Sequence, residues 1–352
     1  MRVLVTGASG LLGSEVARQL VRQGHDVVSF QRRSSGVEGV EDFRGSINDD
    51  AALRQAVNGV EGIIHLAAKV SITGRATEFD AVNVEGTRRL LHLARAAGVR
   101  DVVYVSSPSV AHSGAAIMGA GAEKADPRHA RGDYARTKAE AELLALAANG
   151  ADFRVAAVRP HIVWGPGDTQ LVERVLARAS HSRLPLLDSG AALIDTTYVD
   201  NAASAIVAAL HRMEHVHGRA VVVSNGEPRP IGELLSGICA AGGVAPPSWS
   251  VPGGLARAAG AVVERVWTWA GREEEPPMTR FLAEQLSTAH WFDQRATREL
   301  LNWTPAVSLD EGLARLREYY GGEFRSGGRS LPVSMLHAAG QSRAERPSRR
   351  KR

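Results

Sequence analysis

The sequence predicts an α/β fold, a doubly wound parallel sheet with a smaller C-terminal lobe. Three observations carry this. An apolar, strand-like run opens at Arg2 and passes through glycines into an amphipathic helical stretch. Strand-like and helical runs then alternate as far as about residue 160. Beyond that point glycines and prolines break the rhythm into loops and small elements. Alternation of the first kind builds parallel strands with helices on both faces.

The elements follow in order. Residues 3–5 (Val-Leu-Val) suit a strand buried on both sides, and 14–23 form the first helix. A second strand spans 26–30, a helix 51–58 and a third strand 62–67. Residues 81–97 read as a long helix with Leu90, Leu91, Leu93 and Ala94 on its apolar side. A Val/Tyr-rich strand covers 101–106, an Ala/Leu/Glu-rich helix 134–148 and a further strand 154–158. After residue 160, Gly165-Pro166-Gly167-Asp168, Pro185 and Gly190 interrupt the chain, and 221–224 return as a strand. Residues 226–290, with Trp249, Trp267 and Trp269, are expected to close over a cleft as the smaller lobe, and 293–320 to pack back as a final helical piece. The organisation predicted is a core over 1–160, a substrate lobe over 161–324 interleaved with core elements, and a basic disordered tail over 325–352.

A chain of 352 residues can bury one large core or two smaller ones. Cys239 is the single cysteine, so no intrachain disulfide can form, and no metal site is expected. The first strand starts at residue 2, which leaves no room for a leader ahead of it and makes the cytoplasm the expected location. No stretch reaches the roughly 18 uncharged apolar residues of a bilayer span. The nearest, 251–270, carries Arg257, Glu264 and Arg265 and is read as an amphipathic helix over an apolar site or as a lipid-touching surface. The net charge of +4 is uneven: residues 325–352 hold eight Lys/Arg and one Glu, which leaves 1–324 mildly acidic at −3. The tail is thus either a solvated extension or an arm for an acidic protein partner or membrane surface, and nucleic-acid recognition is not expected.

The run Thr6-Gly7-Ala8-Ser9-Gly10-Leu11-Leu12-Gly13 lies between a strand and a helix. Gly7 permits the tight turn, Gly10 lets backbone approach a pyrophosphate, and Gly13 lets helix and strand pack closely. Ser9, Leu11 and Leu12 complete the loop whose free N–H groups, at a helix N-terminus, face the phosphates. The fold is therefore of Rossmann type and binds a dinucleotide. The second strand ends at Phe30-Gln31-Arg32-Arg33, without the acidic residue that grips an NAD ribose. Arg32 and Arg33 suit the 2′-phosphate of NADP(H), which is the expected preference, with NAD(H) left open.

The chain resembles the extended short-chain dehydrogenase/reductase family over about residues 1–320. The motifs that carry the resemblance are the glycine loop, His65-Leu66-Ala67-Ala68, Asn83-Val84-Glu85-Gly86-Thr87, Ser106-Ser107, Tyr134-Ala135-Arg136-Thr137-Lys138, Arg159-Pro160 with Gly165-Pro166-Gly167-Asp168, and Tyr198-Val199-Asp200-Asn201. Ser46-Ile47 departs from it, since the family usually has an acidic residue there near the adenine. The resemblance implies that Ala67 and Pro160 contact the cofactor, that Lys138 holds the nicotinamide ribose, and that Ser107 hydrogen-bonds the substrate carbonyl. It also suggests a homodimer through the helices near 81–97 and 134–148.

Tyr134 and Lys138 are four apart on a predicted helix and so share a face. A phenol with a pKa near ~10 must come down by about three units to trade protons at neutral pH, roughly 4 kcal/mol. Lys138⁺ is expected to supply part of that shift. His65 is expected to pack beneath the cofactor rather than bind metal, and Asn83 to order the catalytic region. Asp200 and Asn201 are expected to organise the junction between lobes. His112 and His161 are expected near the cleft, with packing roles as the plain alternative.

Ile162-Val163-Trp164-Gly165-Pro166 has Ile162 where sugar-nucleotide epimerases and dehydratases of the family carry a sugar-contacting Asn. The segments 106–110, 276–280 and 291–293 resemble the 3β-hydroxysteroid dehydrogenase-like branch instead. Residues 110–114 and 130–133 are most like its bacterial 2-alkyl-3-oxoalkanoate reductases of long-chain olefin synthesis. The expectation is NADPH-dependent reduction of the 3-keto group of a hydrophobic 2-alkyl-3-oxo acid. A 3β-hydroxysteroid dehydrogenase, a sugar-nucleotide epimerase or dehydratase, and an NADP(H)-sensing protein without turnover stand as the alternatives.

Overall fold

The computed structural model describes residues 1–70, 74–112, 114–269 and 279–325. The tail over 326–352 and the motif residues 276–278 lie outside the described residues.

Seven strands make the main sheet: β1 (Arg2–Thr6), β2 (Asp26–Gln31), β3 (Val40–Arg44), β4 (Gly62–His65), β5 (Asp101–Val105), β6 (Arg154–Pro160) and β7 (Ala220–Val223). They lie in the order β7-β6-β5-β4-β1-β2-β3, and every neighbouring pair is parallel. Period-2 alternation sorts the strand side chains onto two faces. Val3, Val5, Ile64 and Val103 pack under the helices Leu11–Arg22 and Val199–His211. Leu4, Ile63, Val102 and Tyr104 pack on the other face under Asp50–Ala56, Gly86–Ala96 and Gly132–Ala147. The winding direction reverses between β1 and β4. A crevice opens beyond the C-terminal ends of strands at such a switch point, and ligands bind there.

Two local features differ from the sequence expectation. The edge strand β3 reads Val-Glu-Asp-Phe-Arg and is partly exposed, so it shows neither an apolar run nor a clean alternation. Charges of this kind blunt a sheet edge. The helix expected over 81–97 is α-helical only from Gly86 to Ala96; Asp80–Glu85 is π-helical. A widened turn of this sort often marks a functional site, and here it presents Asn83.

The smaller lobe contains a four-stranded sheet of Arg229–Pro230, Leu193–Ile194, His290–Phe292 and Ile117–Ala120. Ile117–Ala120 comes from the first half of the chain and pairs with His290–Phe292, which ties the lobe to the catalytic end of β5. Asn201 latches the final segment: its side chain donates to Val307 O at 2.6 Å and accepts from Ala306 N at 2.9 Å.

The stretch 251–270 is a helix, Gly253–Trp269, as expected, but its place is not over the cleft. Ala256 packs with Leu187 and Ala283 on the outside of the lobe, while Leu255, Val262 and Val266 stand exposed. None of its described residues lines the main cavity. Its buried stripe is met by the helix Arg280–Ser287, which holds it away from the site. Among the described residues no helix is long and apolar enough to cross a membrane.

Candidate active site

One cavity of about 910 Å³ at the switch point brings together every site residue expected from the sequence. Gly7, Ser9, Gly10, Leu11, Leu12 and Gly13 line one end, with Arg32 and Arg33 beside them. Ala67, Pro160, Ser107, Tyr134 and Lys138 line the other part.

The glycine loop is shaped for a dinucleotide. Gly7 has φ +79, and a Cβ there would sit 3.0 Å from Ala67 N. At Gly13 a Cβ would fall 2.3 Å from Gly7 O, so no other residue fits. Gly10 is different: its backbone is extended and a Cβ would meet nothing closer than 3.6 Å. Nothing in the protein itself forbids a side chain at Gly10, which points to the space being kept for a ligand. The helix Leu11–Arg22 begins at Gly10 with no side-chain cap, so its first N–H groups face the cavity unspent. These features fit a pyrophosphate.

Beyond β2, Arg32 and Arg33 are exposed and, among the described residues, neither carries an ion pair. The nearby carboxylate of Asp42 accepts hydrogen bonds from the Ser29 and Ser34 hydroxyls and from Ser35 N, which hold it well below the usual carboxylate range. It does not line the cavity. Gln31, which sequence reasoning passed over, does. It bridges Asp42 and the loop, accepting from Ala8 N at 3.2 Å.

Ser107 caps the short 3₁₀ turn Pro108–Ala111. Its hydroxyl oxygen accepts from Ser109 Oγ at 2.9 Å, which leaves its own hydrogen free to donate. Tyr134 and Lys138 share a face of the helix Gly132–Ala147. Lys138 is 3 % exposed; its Nζ donates to Val105 O at 2.6 Å and lies 4.2 Å from the centre of the Tyr104 ring. Burial pushes Lys138 down to about 7.

Tyr134 lines the cavity beside Ser107. Its phenol is not lowered: burial pushes it up to about 12, and a hydrogen bond from Ser107 offsets only part of that. A neutral phenol in this position can donate a proton to a substrate oxygen.

The surroundings hold this group in place. Asn83 accepts from Lys69 N at 2.7 Å and donates to Thr137 Oγ1 at 3.0 Å, between Tyr134 and Lys138. His65 lies 2.7 Å from Thr6 Oγ1 and 3.0 Å from Thr87 Oγ1; burial pushes it down to about 3, so it is neutral. Arg159 and Glu142 form a buried pair, with Arg159 Nε donating at 2.8 Å, that ties the catalytic helix to the end of β6.

Ile162 lines the cavity in the left-handed region, with φ 41. A β-branched residue there is strained. The same wall holds residues that sequence reasoning missed or left ambiguous: His112, His161, His290 and Phe292. His290 and Phe292 reach it only through the pairing of Ile117–Ala120 with His290–Phe292, a long-range contact that no local pattern announces.

The profile of the NAD dependent epimerase/dehydratase family matches residues 3–224. A 2-alkyl-3-oxoalkanoate reductase of Stenotrophomonas maltophilia is 40% identical over 325 residues, 90% of this chain and 98% of that protein. One of Shewanella oneidensis is 35% identical, over 89% of this chain and 84% of that protein. A 3-beta-hydroxysteroid dehydrogenase of Mycolicibacterium neoaurum is 30% identical over 91% of each. Among solved structures, gox2253 superposes with a TM-score of 0.74 at 26% identity, covering 92% of this chain and 98% of that one. MoeE5 in complex with UDP-glucose and NAD does so at 0.69 and 26%, covering 92% of this chain and all of that one. With a glycine cradle, a Ser/Tyr/Lys set around the buried Lys138 and these relatives, the chain belongs to the NAD-dependent epimerase/dehydratase family, the extended short-chain dehydrogenase/reductases, and is a nicotinamide-dinucleotide oxidoreductase of its 3β-hydroxysteroid dehydrogenase-like branch.

Proposed function

We propose that this protein reduces the 3-keto group of a long-chain 2-alkyl-3-oxoalkanoic acid with NADPH, giving the 3-hydroxy acid. The observation that carries the reading is Tyr134 beside Ser107 and Lys138 in a cavity that Ile162, Val163 and Phe292 also line. The two relatives named for that substrate support it. The nicotinamide, when bound, supplies the hydride. Tyr134 Oη gives its proton to the carbonyl oxygen as charge develops there. Ser107 donates a second hydrogen bond to the same oxygen. Lys138, which lines the same cavity, would hold the ribose hydroxyls. Arg32 and Arg33, without an ion pair among the described residues and beside an Asp42 already occupied, support NADP(H) over NAD(H). A homodimer through Gly86–Ala96 and Gly132–Ala147 belongs to the same reading, and sedimentation checks it.

A second reading, oxidation of a 3β-hydroxysteroid, is favoured by the Mycolicibacterium relative. The strained Ile162 speaks against a sugar nucleotide, since it offers no polar group to a sugar. The test incubates purified protein with NADPH and a synthetic 2-alkyl-3-oxo acid, a 3-oxosteroid, or a UDP-sugar. Cofactor oxidation with the oxo acid, lost by a factor of ~10²–10⁴ in Tyr134→Phe, is the expected result. Turnover of the UDP-sugar alone would overturn it.

A further inference from the structure

We propose that His112 is a specificity-determining residue that receives the carboxylate of the substrate. This rests on the reading above and deepens it. His112 ends the same 3₁₀ turn that Ser107 begins, lines the cavity and is 3 % exposed. Among the described residues, neither of its ring nitrogens has a hydrogen-bond partner. Two buried, unmet nitrogens on one ring are costly, and a wall that keeps them is built to meet a ligand group.

The neighbouring rings say which kind of group. His161 Nδ1 lies 2.6 Å from Asp195 O, which can only accept, so Nδ1 holds the hydrogen and Nε2 is a bare acceptor in the neutral ring. Thr288 Oγ1 gives its hydrogen to Glu284 O at 2.6 Å, so at 3.3 Å it accepts from His290 Nε2. That leaves His290 Nδ1 bare as well, and it too is buried without a partner. His112 sits edge-on to His290, ring centres 4.7 Å apart. In this trio His112 alone has uncommitted donor capacity. Protonated, it has one N–H for the lone pair of His290 and one for a carboxylate.

The one carboxylate that faces His112 is already paired. The groups facing His112 are Glu284 and Arg131, with His290 and His161 neutral. Glu284 is itself contacted by Arg280 at 2.9 Å and by Arg131 at 3.7 Å, which offset its charge. Burial holds His112 below the usual imidazole range in the free site, and an arriving carboxylate would favour its charged form. In a 3-oxo acid the carboxyl group is two bonds from the keto carbon. Its site must therefore adjoin Ser107 and Tyr134, and His112 follows Ser107 in the same turn.

The test uses the reverse reaction, where substrates are stable. Oxidation of a 2-alkyl-3-hydroxy acid by NADP⁺ is compared with oxidation of the matched secondary alcohol that lacks the carboxyl group. The measured quantity is the ratio of the two kcat/KM values. In His112→Phe this ratio is expected to fall at least ~10-fold through KM for the acid, as loss of a hydrogen bond to a charged group would give. His112→Asn, which keeps a donor, is expected to recover most of it. NADPH binding, read by cofactor fluorescence, reports that each variant is folded. An unchanged ratio, with acid and alcohol falling together, would show that the ring only packs. Wild-type protein that oxidises neither, yet turns over a UDP-sugar, would remove the proposed function itself and this inference with it.

Discussion

Lys138 is suspended from β5 by a 2.6 Å hydrogen bond to the carbonyl of Val105, with its ammonium 4.2 Å from the centre of the Tyr104 ring. The pocket satisfies one donor of the ammonium but withholds water, and its pKa comes down to about 7. A lysine is charged below its pKa, so Lys138⁺ dominates below about 7 and is lost as pH rises. If the charge on Lys138 supports ribose binding and the tyrosine, kcat/KM for reduction should decline above pH 7. Lys138→Met should lower kcat by a factor of ~10² or more and abolish that decline. A pH–rate profile from pH 6 to 9 on both proteins checks it, and an alkaline limb retained in Lys138→Met would assign the ionisation to another group.

The cofactor end gives a separable prediction. Arg32 has no carboxylate partner among the described residues, and Asp42, the acid closest to playing the NAD role, is taken up by serines. Arg32→Ala should raise KM for NADPH by about tenfold, as loss of one charge-assisted phosphate contact implies. KM for NADH should hardly move. Initial rates with both cofactors decide it, and equal changes would reduce Arg32 to a surface charge.

The parts legible in the sequence are those where one short segment carries both the chemistry and its geometry. The glycine loop could be read because Gly7 and Gly13 meet their constraints within a few residues, as their close approaches to Ala67 and to each other confirm. Tyr134 and Lys138 could be paired because helical spacing alone puts them on one face. The upward push on the Tyr134 phenol could not be read, because it depends on how far burial outweighs the hydrogen bond with Ser107. The setting of Gly253–Trp269 stayed open in the sequence for a related reason. Its amphipathic pattern says that one side is covered, but not that Ala256 meets Ala283 outside the lobe rather than facing the cleft.

The buried pair of Glu142 and Arg159 fixes the catalytic helix to β6, and both side chains are almost fully covered, at 1 % and 2 % exposure. Removing one partner leaves the other charge in a dry site. Glu142→Leu should therefore cost about 3–5 kcal/mol of stability, read as a lowered urea midpoint. Replacing both, Glu142→Leu with Arg159→Met, should recover much of that loss, because two apolar groups leave nothing uncompensated. A double variant as unstable as the single one would mean that the hydrogen bond from Arg159 to Glu123 O, at 2.7 Å, matters more than the ion pair.

Ile162 links stability to substrate choice. Its φ of 41 places a β-branched side chain where asparagine and glycine are far more at ease. Strain of this kind costs on the order of 1–3 kcal/mol. Ile162→Asn should relieve part of it and raise stability by about 1 kcal/mol, seen as a higher urea midpoint. The same change puts an amide on the wall shared with Val163 and Phe292. An amide there must be desolvated against an alkyl chain without a partner, at about 1–3 kcal/mol. On the proposed function, kcat/KM for a long-chain oxo acid should then fall about tenfold, while that for a short-chain analogue too small to reach Ile162 changes little. Stability and long-chain activity moving in opposite directions would mean that the strain is retained for the substrate. A gain in stability with no loss on long chains would place the alkyl groups elsewhere in the cavity.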